Sequence, residues 1–246
     1  MKPTSKLTLL ITAAALLMTL GSCSKWLNPD ENTRVVWATI ITTYDMPAGE
    51  EYPYYFITDD SLLYCPMNHA SIDDDFEPVD GQRLILYYKF HGTSTQEESD
   101  EEQTLNPGEI KYIDIIQMQM VDTKNFVFTY EPDTLGTDRV EPQYLWLAGG
   151  GLGTKRYLNL QLYIQAFTPD KHTFAMAYDL NRETPLEDGY YCLEFQHDAN
   201  EDPMYSNYTT LISYPLEGPC IEEGVKGLKI KVNTINQGLK VYTIDY

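Results

Sequence analysis

Short runs of β-branched and aromatic residues, separated by Gly, Pro, Asn and Asp, recur along most of the chain. The segment 158–165 (LNLQLYIQ) alternates most clearly, because its leucine and isoleucine positions would all lie on one side of an extended strand. No segment shows a convincing helical period longer than two turns. Many short strands divided by turn-forming residues are typical of an all-β sandwich or barrel. We predict strands at 35–43, 54–58, 62–65, 84–90, 112–121, 126–130, 145–148, 157–167, 173–178, 190–195, 208–214, 228–232 and 240–244.

Two polar stretches divide this pattern. Residues 91–108 carry the sequence EESDEE at their centre, which is too charged for a strand and indicates an exposed loop. Residues 122–125 (DTKN) separate two strand-like runs. The sequence therefore predicts one domain at 34–124 and a second at 125–246.

The first residues have the pattern of an export signal. Lys2 and Lys6 precede an uncharged run at 7–20, and the small residues Gly21 and Ser22 follow it. The run is shorter than the about 20 residues that a membrane-spanning helix needs. We predict that residues 1–22 are a signal peptide and that 23–33 are a polar tether.

The segment 20–23 (LGSC) resembles the bacterial lipobox, in which the cysteine thiol is alkylated with diacylglycerol and the new amino terminus is acylated. The resemblance implies a lipid anchor with palmitate-like chains at Cys23, and two or more such chains hold a protein stably on a membrane. An ordinary cleaved signal with an incidental cysteine is the alternative. Ser24, rather than aspartate, follows the cysteine, which favours an outer-membrane lipoprotein facing either the periplasm or the cell surface.

The charge balance excludes some partners. Residues 23–125 hold 6 basic and 20 acidic residues, and residues 126–246 hold 9 and 17. Acidity this strong argues against nucleic acid or anionic lipid as the partner. It leaves a protein or a saccharide open, and it says nothing about the oligomeric state.

Three cysteines remain besides Cys23. An exported protein can form disulfides, and the odd count leaves at least one thiol free. The sequence leaves open whether Cys192 and Cys220 pair or whether these two and Cys65 are separate buried thiols. The chain has no C-x-x-C spacing, so no zinc site is predicted.

No motif in the chain predicts a catalytic residue, a cofactor or a metal site. The glycine-rich segment 149–155 (GGGLGTK) lacks the Gly-Lys-[Ser/Thr] end of a phosphate loop, and a hairpin connection is the favoured interpretation. His197 with Asp198, Glu201 and Asp202 forms an acid-rich stretch, as do Asp73–Asp75 with Glu77, and solvated loops are favoured over calcium sites for both.

Aromatic residues are the most suggestive group. They bind sugars or proteins through flat apolar faces with polar edges, although about half of those on alternating strands should face the core. The sequence does not identify the ligand-binding positions among them. The notable aromatic positions are Trp37, Tyr54, Tyr55, Tyr87, Tyr88 and Trp146.

The order of segments resembles one known family. VDGQRLILYYKF at 79–90, LEFQHDANEDP at 193–203, ISYPLE at 212–217 and the closing GLKIKVN and GLKVYTIDY, together with the lipobox, resemble the NigD-like lipoproteins. The resemblance implies an N-terminal OB-type β-barrel followed by a C-terminal β-sandwich. The family is named from a bacteriocin-associated gene cluster and implies no settled activity and no catalytic residues.

These observations favour a non-enzymatic, lipid-anchored cell-envelope protein that binds a protein or a saccharide through its β-domains. A glycan-acting hydrolase is one alternative, and it would need a cleft with two carboxylates about 5 to 9.5 Å apart. A bacteriocin-immunity-type protein is the other alternative, and it depends on the family's naming.

Overall fold

The computed structural model describes residues 33–44, 52–71, 76–92 and 110–246. Its first part is a closed five-stranded barrel in the order β1-β2-β3-β5-β4, with β4 closing against β1. The pair β3 and β5 is parallel and the other neighbours are antiparallel. A five-stranded Greek-key barrel is the OB-type architecture, so this prediction is confirmed. The strands are β1 (Arg34–Ile41), β2 (Tyr55–Thr58), β3 (Leu63–Pro66), β4 (Arg83–Phe90) and β5 (Ile110–Met120).

The second part is a β-sandwich of two sheets. One sheet has the order β15-β14-β12-β10-β7, with β11 pairing with one end of β12, and the other has the order β6-β13-β9-β8. The strands are β6 (Asp122–Thr123), β7 (Val127–Thr129), β8 (Glu141–Gly149), β9 (Arg156–Ala166), β10 (Thr173–Asp179), β11 (Leu186–Glu187), β12 (Tyr190–Asp198), β13 (Ser206–Pro215), β14 (Gly227–Thr234) and β15 (Gly238–Asp245).

Alternation along β9 positions the sandwich core. Leu158, Leu160, Leu162 and Ile164 are fully buried and join one apolar cluster with residues of the opposite sheet. Successive strand residues point to opposite faces, so the odd-numbered positions of β9 lie on the outer face of its sheet. These positions are Tyr157, Asn159, Gln161, Tyr163 and Gln165.

The barrel packs on one half of that outer face. Trp37 of β1 and Trp146 of β8 meet edge to face, with ring centroids 5.4 Å apart. A buried apolar cluster around them combines Ile85 and Tyr87 of the barrel with Leu211 of β13. The Tyr157 hydroxyl also donates to the Gly81 carbonyl oxygen at 2.9 Å. The contact between the two parts is therefore both apolar and hydrogen-bonded.

A buried arginine lies at the centre of this contact. Arg83 has no exposed surface, and its guanidinium donates to both carboxylate oxygens of Asp59 at 2.7 and 2.9 Å and to the Thr39 hydroxyl at 3.0 Å. Its Cζ lies 5.5 Å from the Trp37 ring centroid and 5.0 Å from that of Tyr157. Bidentate geometry and flat aromatic neighbours suit a guanidinium better than an ammonium group.

The glycine-rich segment 149–155 is a hairpin connection, as predicted, because β8 and β9 pair on either side of it. A β-carbon at Gly151 would collide with the hydroxyl of Ser61, on the turn between β2 and β3. The glycine therefore allows this hairpin to approach the barrel closely.

The structure differs from the predicted domain boundary. β6 at Asp122–Thr123 already pairs in parallel with β13 of the sandwich, so the boundary at residues 124 and 125 falls after the first sandwich strand. The barrel strands end at Met120.

The cysteine pairing left open by the sequence does not form. Cys192 and Cys220 are free thiols, and both are buried, as is Cys65. Cys220 belongs to the sandwich core, whereas Cys192 follows the core residue Tyr191 on β12 and therefore lies on the other face of that sheet. Burial raises the pKa of both thiols, which keeps them protonated and unreactive.

Candidate functional site

The barrel leaves the other half of the outer face of the β8-β9-β13 sheet uncovered. In the strand register, Tyr163 lies opposite Thr209 and Gln165 lies opposite Asn207. Tyr144 of β8 lies opposite Gln161, at the margin of the barrel contact. We call the exposed and half-exposed side chains of this region the uncovered strip. Its members are Tyr144, Tyr163, Gln165, Phe167, Tyr205, Asn207 and Thr209.

Aromatic rings occupy both ends of the uncovered strip. Phe167 and Tyr205, just beyond the ends of β9 and β13, are 61% and 80% exposed, and their rings meet edge to face with centroids 5.7 Å apart. Tyr144 at the other end is 53% exposed. Large rings left in water by a folded domain are a common feature of binding surfaces.

Amide side chains lie between the rings. The amides of Gln165 and Asn207 face each other across β9 and β13, and neither has a hydrogen-bond partner among the described residues. At the margin, Gln161 Nε2 donates to Gln143 Oε1 at 2.9 Å, and the buried Gln161 Oε1 has no partner within the described residues. The strip thus combines ring faces with free donors and acceptors.

The uncovered strip contains no charged side chain, in a chain of formal net charge −20. Glu141 is the nearest acid in register, opposite Tyr163, and its carboxylate accepts a hydrogen bond from the Asn236 backbone N–H at 3.1 Å. The strip therefore does not hold the two carboxylates that a glycoside hydrolase requires.

A buried aspartate fixes the end of the strip. Asp202 Oδ2 accepts hydrogen bonds from the Phe167 and Thr168 backbone N–H groups at 2.6 and 2.8 Å. The turn that delivers Asp202 holds Asn200 and Glu201 at positive φ, and Asn200 donates its side-chain amide to the Lys171 carbonyl at 2.6 Å. Left-handed non-glycine residues cost free energy and persist where surrounding contacts impose them. Here they position the carboxylate under Phe167.

Two histidines continue this network inward. His197 Nδ1 donates to the Arg139 carbonyl at 3.1 Å, so its Nε2 accepts from His172 Nδ1 at 2.8 Å. His172 Nε2 then faces Asp202 Oδ2 at 3.4 Å, with no exposed side-chain surface on either group. The two imidazole rings and the carboxylate therefore form one buried chain of polar contacts.

The pKa shifts favour a neutral His197 and an ionised Asp202. Burial, followed by the nearby charge on His172, lowers the pKa of His197 and keeps that ring neutral. Burial acts to raise the pKa of Asp202, but the backbone N–H groups of Thr168 and Phe167 and the His172 side chain outweigh it and lower that pKa. The Phe174 ring stacks on His197 at 4.9 Å between centroids and closes the network off from water.

The sequence-predicted candidates fall in different places. Cys23, the tether as far as residue 32 and Asp73–Asp75 lie outside the described residues. The acid-rich stretch at 197–202 is split between the buried network, where His197 and Asp202 lie, and an exposed turn, and no group of three or more metal-ligating residues occurs within the described part of the chain. Of the six aromatic residues singled out from sequence, Tyr54 and Tyr88 pack inside the barrel, and Tyr55 packs in a second buried cluster on the other face of β2. The other three, Trp37, Tyr87 and Trp146, lie at the contact with the sandwich.

Sequence reasoning missed the uncovered strip and His172. The signal for the strip was present, because the odd positions of β9 are aromatic or amide residues rather than the charged residues usual on a solvated face. No signal for the His172 network was present in the sequence, because its members come from different strands and loops.

No helix within residues 33–44, 52–71, 76–92 and 110–246 is long and apolar enough to cross a membrane. Among proteins with curated descriptions, none matches the sequence.

Solved structures show the same fold at low sequence identity. A protein of unknown function (DUF1344) from Bacteroides vulgatus has a TM-score of 0.62 and 18% identity, covering 87% of this chain and 90% of that one. A NigD-like immunity protein from Bacteroides caccae has a TM-score of 0.51 and 21% identity over 89% and 94% of the chains. A putative lipoprotein from Bacteroides fragilis has a TM-score of 0.55 and 11% identity over 87% and 97%.

The sandwich also has a family assignment. The sequence profile described as the NigD-like C-terminal beta sandwich domain matches residues 121–246, which is half of the chain. This match bears out the resemblance found in the sequence, and the chain belongs to the NigD-like family.

Proposed function

We propose that this chain is a non-enzymatic lipoprotein of the cell envelope, anchored to the outer membrane through Cys23, that binds a partner with the uncovered strip. The observation that carries the proposal is the strip itself. It presents exposed rings and unpaired amides without charge, on a strongly acidic protein. These groups bind a ligand by contact and hydrogen bonding, and none of them is a carboxylate, a histidine, a lysine or a cysteine.

The surroundings of the strip support binding over a merely solvated face. Asp202 fixes the backbone under Phe167, and the β9–β13 ladder fixes the backbone that carries Gln165 and Asn207, so the spacing of these residues is set before a ligand arrives. Preorganised groups lose less entropy on association, which strengthens binding.

The lipobox and one structural neighbour support the anchor. The neighbour from Bacteroides fragilis is described as a putative lipoprotein, and Cys23 lies in a lipobox-like sequence here. A tether of polar residues at 23–33 would let the two β-domains extend from the membrane surface.

Removing the acylated thiol should release the protein from membranes. In cells labelled with radioactive palmitate, we expect the unsubstituted chain to carry label and to enter the detergent phase. Cys23→Ala should carry no label and should remain in the aqueous phase, because no thiol accepts the diacylglycerol. Cys65→Ala is the matched control and should behave as the unsubstituted chain. Equal labelling of Cys23→Ala would refute the anchor.

Binding should depend on the strip and should leave the ligand unchanged. With the full chain immobilised, a solubilised cell-envelope extract should give a binding signal by interferometry. The double variant Tyr144→Ser, Phe167→Ser should lose most of it, because ring contacts at both ends of the strip are removed. Tyr130→Ser, an exposed ring on the loop after β7, is the control. A signal that survives the double variant, or a chemically altered ligand, would contradict the proposed function.

A further inference from the structure

We infer that the uncovered strip binds an uncharged oligosaccharide or polysaccharide chain. This inference rests on the proposed function and names the ligand class of the same surface. Two observations carry it: the alternation of rings and amides, and the lack of charge across the strip.

Rings and amides alternate in rows along the strands. Phe167 and Tyr205 form the first row, and Gln165 and Asn207 form the second. Tyr163 and Thr209 form the third row, and Tyr144 and Gln161 the fourth. Rows on one face of a strand repeat every two residues, about 7 Å apart, so the four rows span about 20 Å. An extended chain of several sugar rings fits this length.

Each type of row matches one part of a sugar. The ring faces of Phe167, Tyr205 and Tyr144 offer flat apolar surfaces for the C–H faces of pyranose rings. The amides of Gln165 and Asn207 each offer both donors and an acceptor to the ring hydroxyls. A sugar hydroxyl both donates and accepts hydrogen bonds, so it can pair with the N–H groups or with the carbonyl oxygen of either amide.

The charge distribution favours a saccharide over a protein partner. A protein that recognises a surface of net charge −20 by charge complementarity would contact acidic side chains, and the strip has none. A neutral carbohydrate needs neither charge nor a deep apolar centre.

Affinity electrophoresis tests the inference directly. The full mature chain in nonionic detergent would be run through gels containing dextran, laminarin, galactomannan, mannan or arabinoxylan, with polygalacturonate as the charged probe. At least one neutral polysaccharide should retard the protein, and polygalacturonate should not. Phe167→Ala and Tyr144→Ala should each weaken retardation about tenfold, which corresponds to the loss of one stacked ring. Gln165→Ala should weaken it as well, whereas Tyr130→Ala should leave it unchanged.

All these side chains are exposed, so the variants should melt at the temperature of the unsubstituted chain, and equal melting confirms that they fold. No retardation by any of the five neutral polysaccharides, or equal retardation of Phe167→Ala and the unsubstituted chain, would overturn the inference.

The binding signal from the solubilised cell-envelope extract distinguishes a failure of this inference from a failure of the proposed function. Periodate should destroy the strip-dependent signal and protease should not. The reverse result would overturn the saccharide and leave strip-dependent binding in place.

Discussion

Arg83→Ala is expected to lower the free energy of unfolding by about 3 kcal/mol, because breaking a buried ion pair strands the remaining partner. Arg83 is fully buried, and it satisfies both oxygens of Asp59 and the Thr39 hydroxyl. Removing it also removes the cation that lies between the Trp37 and Tyr157 rings at the contact of barrel and sandwich. Asp59 remains 23% exposed, which keeps the loss at the lower end of the range for buried pairs.

Urea unfolding at pH 7 of the unsubstituted chain, of Arg83→Ala and of a control variant measures this effect. Lys155→Ala is the matched control, because Lys155 and Glu217 form an ion pair exposed on both sides and worth about 0 to 1 kcal/mol. The double variant Arg83→Met, Asp59→Leu should recover much of the loss, since it leaves no unpaired charge. If Arg83→Ala costs no more than Lys155→Ala, the central role of this pair in stability is wrong.

Acidification from pH 7 to pH 5 is expected to destabilise the fold through the buried histidine network. The pKa of His197 is lowered in the folded chain, first by burial and then by the His172 charge. Unfolded His197 titrates near its ordinary value of about 6.5, so its contribution to stability is complete above that pH. It is lost as the pH falls below about 6.5 toward the lower folded-state pKa, because the unfolded chain then binds more protons.

Asp202 acts in the same direction at more acid pH. Its pKa is also lowered, so the stability that its carboxylate provides is complete above its ordinary value near 4 and is lost as the pH falls further. Two further carboxylates, Asp138 and Asp198, oppose the lowering of the His197 pKa without reversing it. Protonated His197 would face the Nδ1–H of His172, and two donors would then meet.

Urea midpoints at pH 8, 7, 6 and 5 measure the pH dependence. His197→Asn should be less stable at pH 7 but should lose less of its stability between pH 7 and pH 5. Its amide can still donate to the Arg139 carbonyl, while the titrating ring is gone. His91→Gln removes an exposed histidine paired with Asp114 and should keep the dependence of the unsubstituted chain. An unchanged slope in His197→Asn would show that another group titrates.

The position of nearly every long strand was predictable from local pattern. The alternation of 158–165 gives β9 its buried face, and similar runs give the other strands of the barrel and sandwich. β6 and β11, with two residues each, were missed, because Asp122–Thr123 and Leu186–Glu187 contain too few positions to show a period. Their strand character comes from pairing with β13 and β12, which are far along the chain.

The candidate site was less predictable than the fold. The tryptophans and tyrosines that stood out in the sequence are packing residues, since an aromatic ring on a strand fits a core and a binding surface equally well. The strip uses Tyr144, Phe167 and Tyr205 instead, which lie at a bulge or just beyond strand ends. Only the position of the barrel distinguishes the two groups.

The sequence by itself determined the all-β class, the inward face of β9, the family resemblance and the strong acidity, because each depends on neighbours along the chain or on composition. The tertiary structure decided the rest. It covers one half of the outer face with the barrel and leaves the other half exposed, places Cys192 and Cys220 on opposite faces of a sheet, and brings His172, His197 and Asp202 together. His172, for example, lies 25 positions from His197 and 30 from Asp202 along the chain, so how whole sheets pack sets their proximity and local pattern does not.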